Sequence, residues 1–204
     1  MSAPSSPVTA ASATFDLSVT PDDLTVSSSA LLSPNELKRR VQEKVFTSGV
    51  VCLPSVLSAE TCEAALQASR RLSRFMRGAL RAAGVDYGLA GKDWRFEEAA
   101  GRCRNRLDYR AGQDEGALAR LDAALGEHVG PLVEALLGEE WKRAYGGVVE
   151  ALPGAEAQGW HVDGGHLFQG LDCPPHALTV FVALCRVDAE TGLGSPQVSA
   201  HCLQ

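Results

Sequence analysis

Between residues 158 and 168 the chain reads Gln-Gly-Trp-His-Val-Asp-Gly-Gly-His-Leu-Phe, which sets His161, Asp163 and His166 close together. Side chains at i and i+2 of a strand point to the same face, so His161 and Asp163 would project together from one strand end. An imidazole beside a carboxylate is half of a metal site. A second imidazole would complete the two-histidine, one-carboxylate triad that suits Fe(II) and leaves neighbouring positions open for substrate and oxygen. His201 is the candidate third ligand, at the end of the turn-rich run Gly192-Leu193-Gly194-Ser195-Pro196-Gln197-Val198-Ser199-Ala200. On residues alone a surface His-x-Asp pair is the alternative, since such pairs arise readily by chance. The flanks favour a site: Gly164-Gly165 bend the chain directly after the pair, while Trp160, Leu167 and Phe168 offer an apolar wall against water.

Elements on both sides must position these residues. Trp141–Leu152 alternates loosely enough for one strand, followed by a Pro153-Gly154 turn from which Gln158 starts the strand of the His-x-Asp pair. Leu178–Leu184 (Leu-Thr-Val-Phe-Val-Ala-Leu) is the most β-prone run in the chain, apolar enough for the inside of a sandwich. Upstream, Ser33-Pro34-Asn35-Glu36 reads as a helix start, with Ser33 as N-cap, proline in the first turn and Glu36 closing a capping box. Leu37, Val41, Val45 and Phe46 form that helix's buried stripe; Gly49 ends it and Val50–Pro54 reads as a short strand.

Ser58 caps a long helix to about Ala83, whose stripe holds Cys62, Ala65, Leu66, Leu72, Phe75, Met76, Ala79, Leu80 and Ala83. Arg70, Arg74, Arg77 and Arg81 take its solvated side. Residues 84–101 are a loop-rich connection. Arg102, Arg104 and Arg106 alternate with Cys103, Asn105 and Leu107, so in one strand the three guanidiniums share a face, either paired with neighbouring carboxylates or lining a pocket for carboxylate or phosphate. Asp114–Leu137 is helical with Pro131 kinking it. Helices first and strands afterwards make an α+β chain, a helical layer supporting a strand-rich half.

With 204 residues, 45% hydrophobic and 22% charged, the composition is that of one globular domain. Residues 1–33, rich in Ser, Ala, Thr and Pro, are expected to be a mobile tail, with the domain spanning 34–204. Residues 1–37 hold four of the 25 acids and none of the 19 bases, so the body is close to neutral and lacks the basic footprint that nucleic-acid binding needs. That acidic start resembles neither a secretory signal nor a transit peptide, and no apolar run is long enough to cross a bilayer. A soluble, cytoplasmic protein without membrane contact is expected. The six cysteines show no Cys-x-x-Cys pairing and read as reduced, mostly buried thiols.

Gln-x-Trp-His-x-Asp-Gly, then an apolar run, then a Gly-containing turn ending in His, resembles the phytanoyl-CoA dioxygenase family of Fe(II)/2-oxoglutarate oxygenases, from about Asn35 onward. The family's distal Asn-Gly-Pro-Thr and Pro-Gly-Ser-His stand here as Thr191-Gly192-Leu193-Gly194 and Val198-Ser199-Ala200-His201, keeping only the Gly and the His. The resemblance implies a double-stranded β-helix (jelly-roll) core with supporting N-terminal helices. It also implies hydroxylation of a small or acyl substrate, bearing an anionic group if the arginine runs are a guide. The implied metal ligands are His161, Asp163 and His201, with Gln158 beside them. His166 falls just outside the set, and His128 and His176 are structural or surface residues. In the family an Arg beyond the distal His holds the far carboxylate of 2-oxoglutarate. No such residue follows His201, so a barrel lacking its last strands is expected, with activity impaired. Arg102, Arg104, Arg106, Arg110 and Lys142 are the possible substitutes; the sequence selects none, and Arg106 is carried forward with Gln158 as the cofactor-binding pair. A catalytically inactive jelly-roll serving as a binding or regulatory module is the competing reading.

Overall fold

A computed structural model describes residues 21–27, 32–86, 96–110, 116–159, 161 and 176–186. Two cores organise them. The first gathers Val26, Val41, Val45 and Leu132, with Leu37, Val51, Leu53, Leu136 and Leu178 packed around them. It draws on helix α2 (Pro34–Ser48), helix α5 (Gly130–Leu137) and Val26, two residues past helix α1 (Pro21–Leu24). Within the stretch expected as a tail, Val26 is buried and supplies an apolar side chain to this core, while Asp22, Asp23 and Ser27 are exposed. Backbone pairing holds it there: Thr25 bridges Cys52, Val26 N–H donates to Cys52 O at 3.0 Å and Cys52 N–H to Leu24 O at 2.8 Å. The strand expected at Val50–Pro54 is reduced to that one bridge.

α2 starts as its residues dictate. Ser33 Oγ accepts the Glu36 N–H at 3.2 Å, and Pro34 tolerates the first turn because its missing N–H would have no helical partner. Glu36 closes no capping box; its carboxylate takes Arg39 Nε at 3.0 Å and Arg40 Nε at 2.8 Å. Gly49, at φ +72, provides the left-handed stop. Val41 and Val45 are buried as expected, whereas Phe46 is exposed.

The second core joins helix α3 (Ala59–Ala82) to a three-stranded antiparallel sheet, β1 (Ala99–Cys103), β2 (Arg106–Arg110) and β3 (Gly147–Ala151), in the order β1-β2-β3. Leu107 and Tyr109 are fully enclosed with Ala99, against Leu72 and Met76 of α3 and Val148 and Leu152. Strand alternation puts Arg106, Asp108 and Arg110 on the opposite face. Gly147 permits the close approach of β3 to β2, since a Cβ there would stand 2.7 Å from Tyr109 O. Tyr109 Oη donates to Glu150 at 3.1 Å, and Arg77 of α3 lies 3.8 Å from the same carboxylate. Arg77 is thus half-buried against the sheet, unlike the exposed Arg70, Arg74 and Arg81. Along α3, Ala65, Ser69, Ser73 and Leu80 are buried, while Phe75 stays 72% exposed. Phe75 stands one residue, hence about 100°, from Met76, which turns it off the packed side.

Three further expectations are corrected. Residues 102–106 are not one strand: a turn at Arg104–Asn105 ends β1 and starts β2, so the three arginines do not form a single row. Trp141–Gly146 precedes β3 rather than belonging to it. Leu178–Leu184 forms no strand, because a strand needs a ladder partner and none pairs with it among the described residues; Leu178 reaches the first core and Phe181 is 76% exposed. Helix α4 (Ala117–His128) and α5 realise the expected helical stretch, broken at Val129 with Pro131 in the first turn of α5. Of the expected buried thiols, Cys52 and Cys185 are exposed and Cys62 and Cys103 half-buried. The described residues are thus a mixture of helices and a small antiparallel sheet, and a jelly-roll is not assembled among them. No described helix is long and apolar enough to cross a membrane.

Candidate active site

The segment that leads to His161 is held by the β1–β2 hairpin. Asn105, at φ +55, occupies the left-handed position its turn requires, which Asn tolerates better than most residues. Its carbonyl accepts the Leu152 N–H at 2.9 Å, and its Nδ2 donates to Pro153 O at 3.2 Å. One residue earlier, Arg104 O accepts the Glu156 N–H at 3.2 Å. Glu156 O in turn accepts from Arg106 Nη2 at 3.3 Å and from the Cys103 thiol at 3.4 Å. Five contacts from residues 103–106 therefore fix residues 152–156, directly ahead of Gln158 and His161.

His161 is exposed, and its Nδ1 lies 2.8 Å from Gly159 O. A carbonyl can only accept, so Nδ1 carries the proton. In a neutral ring the lone pair then sits on Nε2, the arrangement in which a second ring nitrogen anchored to a carbonyl orients a ligating histidine. Gln158 is exposed three residues before it. Trp160, Asp163, His166, Leu167, Phe168 and His201 lie outside the described residues, as do Asp93, Trp94 and Arg95 of the 84–101 connection. Among the described residues no three His, Cys, Asp or Glu groups stand close enough to hold a metal. In kind, two imidazoles and a carboxylate fit a divalent iron, and the anchored His161 is a suitable member of that set.

The basic residues separate clearly. Arg102 binds Asp108 across the hairpin, with Nε at 3.0 Å. Burial works against the Arg102 charge, but the hydrogen bond and attraction to Asp108, helped by Tyr145, hold its pKa above the ordinary arginine value. Arg110 stacks over the Tyr145 ring at 5.6 Å. Arg104 and Lys142 are exposed. Arg106 alone of the five reaches the backbone of the His161 lead-in through its side chain, and its Nε is buried with no hydrogen-bond partner. Sequence reasoning missed Asn105, although an Asn between two alternating runs is itself a turn signal.

The family model for phytanoyl-CoA dioxygenase (PhyH) matches residues 47–192. The chain belongs to the phytanoyl-CoA dioxygenase family. That span takes in α3, the whole sheet, His161 and Asp163, and stops short of His201. At the level of the family the match implies an Fe(II)- and 2-oxoglutarate-type oxygenase. No curated protein and no solved structure matches the chain.

Proposed function

We propose that the chain is an Fe(II)/2-oxoglutarate-dependent dioxygenase that hydroxylates a small or acyl substrate bearing an anionic group, built on a double-stranded β-helix. The observation that carries this reading is the anchoring of the His161 segment by the β1–β2 hairpin, inside the span that places the chain in its family. His161, Asp163 and His201 would hold the iron. When bound, the metal and 2-oxoglutarate together supply the activation of O2, with one oxygen atom entering the substrate C–H bond and the other entering succinate as CO2 leaves.

The protein's own part is binding and orientation. Arg106 would hold a carboxylate of 2-oxoglutarate; its Nη2 donates to Glu156 O, and its buried Nε, which has no acceptor within the protein, supports that reading as an unused donor. Gln158 follows two residues after that contact and would hydrogen-bond the cosubstrate or a ligand. His161 is held by Gly159 in the tautomer that presents Nε2 to a metal.

Incubating the chain with Fe(II), ascorbate and labelled 2-oxoglutarate tests the proposal. Iron-dependent succinate, lost in His161→Ala, supports the dioxygenase. Iron binding with no succinate would instead favour the inactive binding or regulatory module.

A further inference from the structure

We infer that Asn105 is a positioning residue for the metal-bearing segment, an inference that rests on His161 as an iron ligand. Asn105 lies far from His161 in sequence, yet both its backbone and its side chain bond the segment leading to that residue. The carbonyl accepts the Leu152 N–H and Nδ2 donates to Pro153 O, bracketing the end of β3 and the turn at Gly154, φ +77. The side-chain bond pins a proline carbonyl at the point where the chain leaves the sheet. Arg104 O and Arg106 then secure Glu156, so the segment is fixed at both ends before Gln158 and His161 project from it.

A hairpin that served only to complete the sheet would need no side-chain bond beyond its own ladder. Here the amide reaches outside the ladder to the strand exit. Losing it should lower the docked fraction of the segment, and apparent metal affinity falls with the fraction of protein in the binding-competent state.

Asn105→Gly removes the Nδ2 donor while keeping the left-handed turn. Asn105→Asp keeps the turn and the size but sets an oxygen against the Pro153 carbonyl. The probe is Co(II), titrated anaerobically into the full chain, read by its dissociation constant and d–d absorption, with the melting temperature of the metal-free protein measured alongside. One hydrogen bond of ordinary net worth corresponds to Co(II) binding about two- to twelvefold weaker in Asn105→Gly, with a changed d–d spectrum and metal-free melting lowered by no more than about 2–4 °C. Asn105→Asp should move both metal readouts further. Wild-type affinity and spectrum in both variants, or a fall in melting without a metal effect, overturns the inference. If His161→Ala binds Co(II) like wild type, the ligand reading itself fails; if His161→Ala loses the metal while the Asn105 variants keep it, only the positioning role fails.

Discussion

The pairing of α3 with the sheet can be tested by two truncations that sequence and structure rank differently. Helical periodicity placed Phe75 on the packed stripe, whereas the structure leaves it 72% exposed and encloses Leu107 completely. Leu107→Ala removes three carbons from contact with Ala99, Tyr109, Leu72 and Met76, a transfer loss of about 2.4 kcal/mol at ~0.8 kcal/mol per carbon group. A residual cavity raises the expected cost to about 3 kcal/mol. For a chain of this size that lowers the melting temperature by roughly 6–12 °C. Phe75→Ala, removing a larger ring from a solvated position, should stay within about 0.5 kcal/mol of wild type. Urea denaturation with the slope checked for constancy gives both numbers. A cost above ~2 kcal/mol for Phe75→Ala, or below ~1 kcal/mol for Leu107→Ala, would show that α3 packs through a different side.

Ser58→Ala deletes the hydroxyl that accepts the Thr61 N–H at 3.0 Å and should cost about 1 kcal/mol by the same denaturation assay. Glu36, hydrogen-bonded first to Arg39 and then to Arg40, has its pKa lowered from 4.5 to about 2. A depressed acid adds stability above its unfolded pKa and loses it as pH falls from 4.5 towards about 2, so the urea midpoints of wild type and Glu36→Gln should differ near neutrality and converge in acid. A gap that stays constant with pH would contradict this. Arg106→Ala should weaken 2-oxoglutarate binding by about 2 kcal/mol, roughly thirtyfold, in calorimetric titration of the iron-loaded chain, with Arg104→Ala as the unaffected control.

Signals carried by one or two neighbouring residues were legible. Ser33 and Ser58 cap α2 and α3 because a cap is made within three residues, and Gly49 stops α2 because the left-handed turn needs it. The break before α5 was visible in Pro131. What depended on partners was not. Alternation through 102–107 cannot reveal where a strand reverses, and Asn105 turned the expected row of arginines into two edges of a hairpin. Leu178–Leu184 has the composition of a strand, but pairing is decided by the neighbour and not by propensity. The apolar count along α3 favoured Phe75, while packing selected Ser69 and Ser73. Val26, in a composition that reads as tail, is buried because Cys52 offers its backbone a partner. For the candidate site, the His161 motif and the family were readable from the chain, and the hairpin that anchors the motif was not.

The most direct measurement is an anomalous-difference map at the iron edge, from crystals of the full chain grown anaerobically with Fe(II). The account predicts one iron peak bound by the side chains of His161, Asp163 and His201. An iron held elsewhere, or a His201 ring remote from the metal that His161 and Asp163 share, would contradict it.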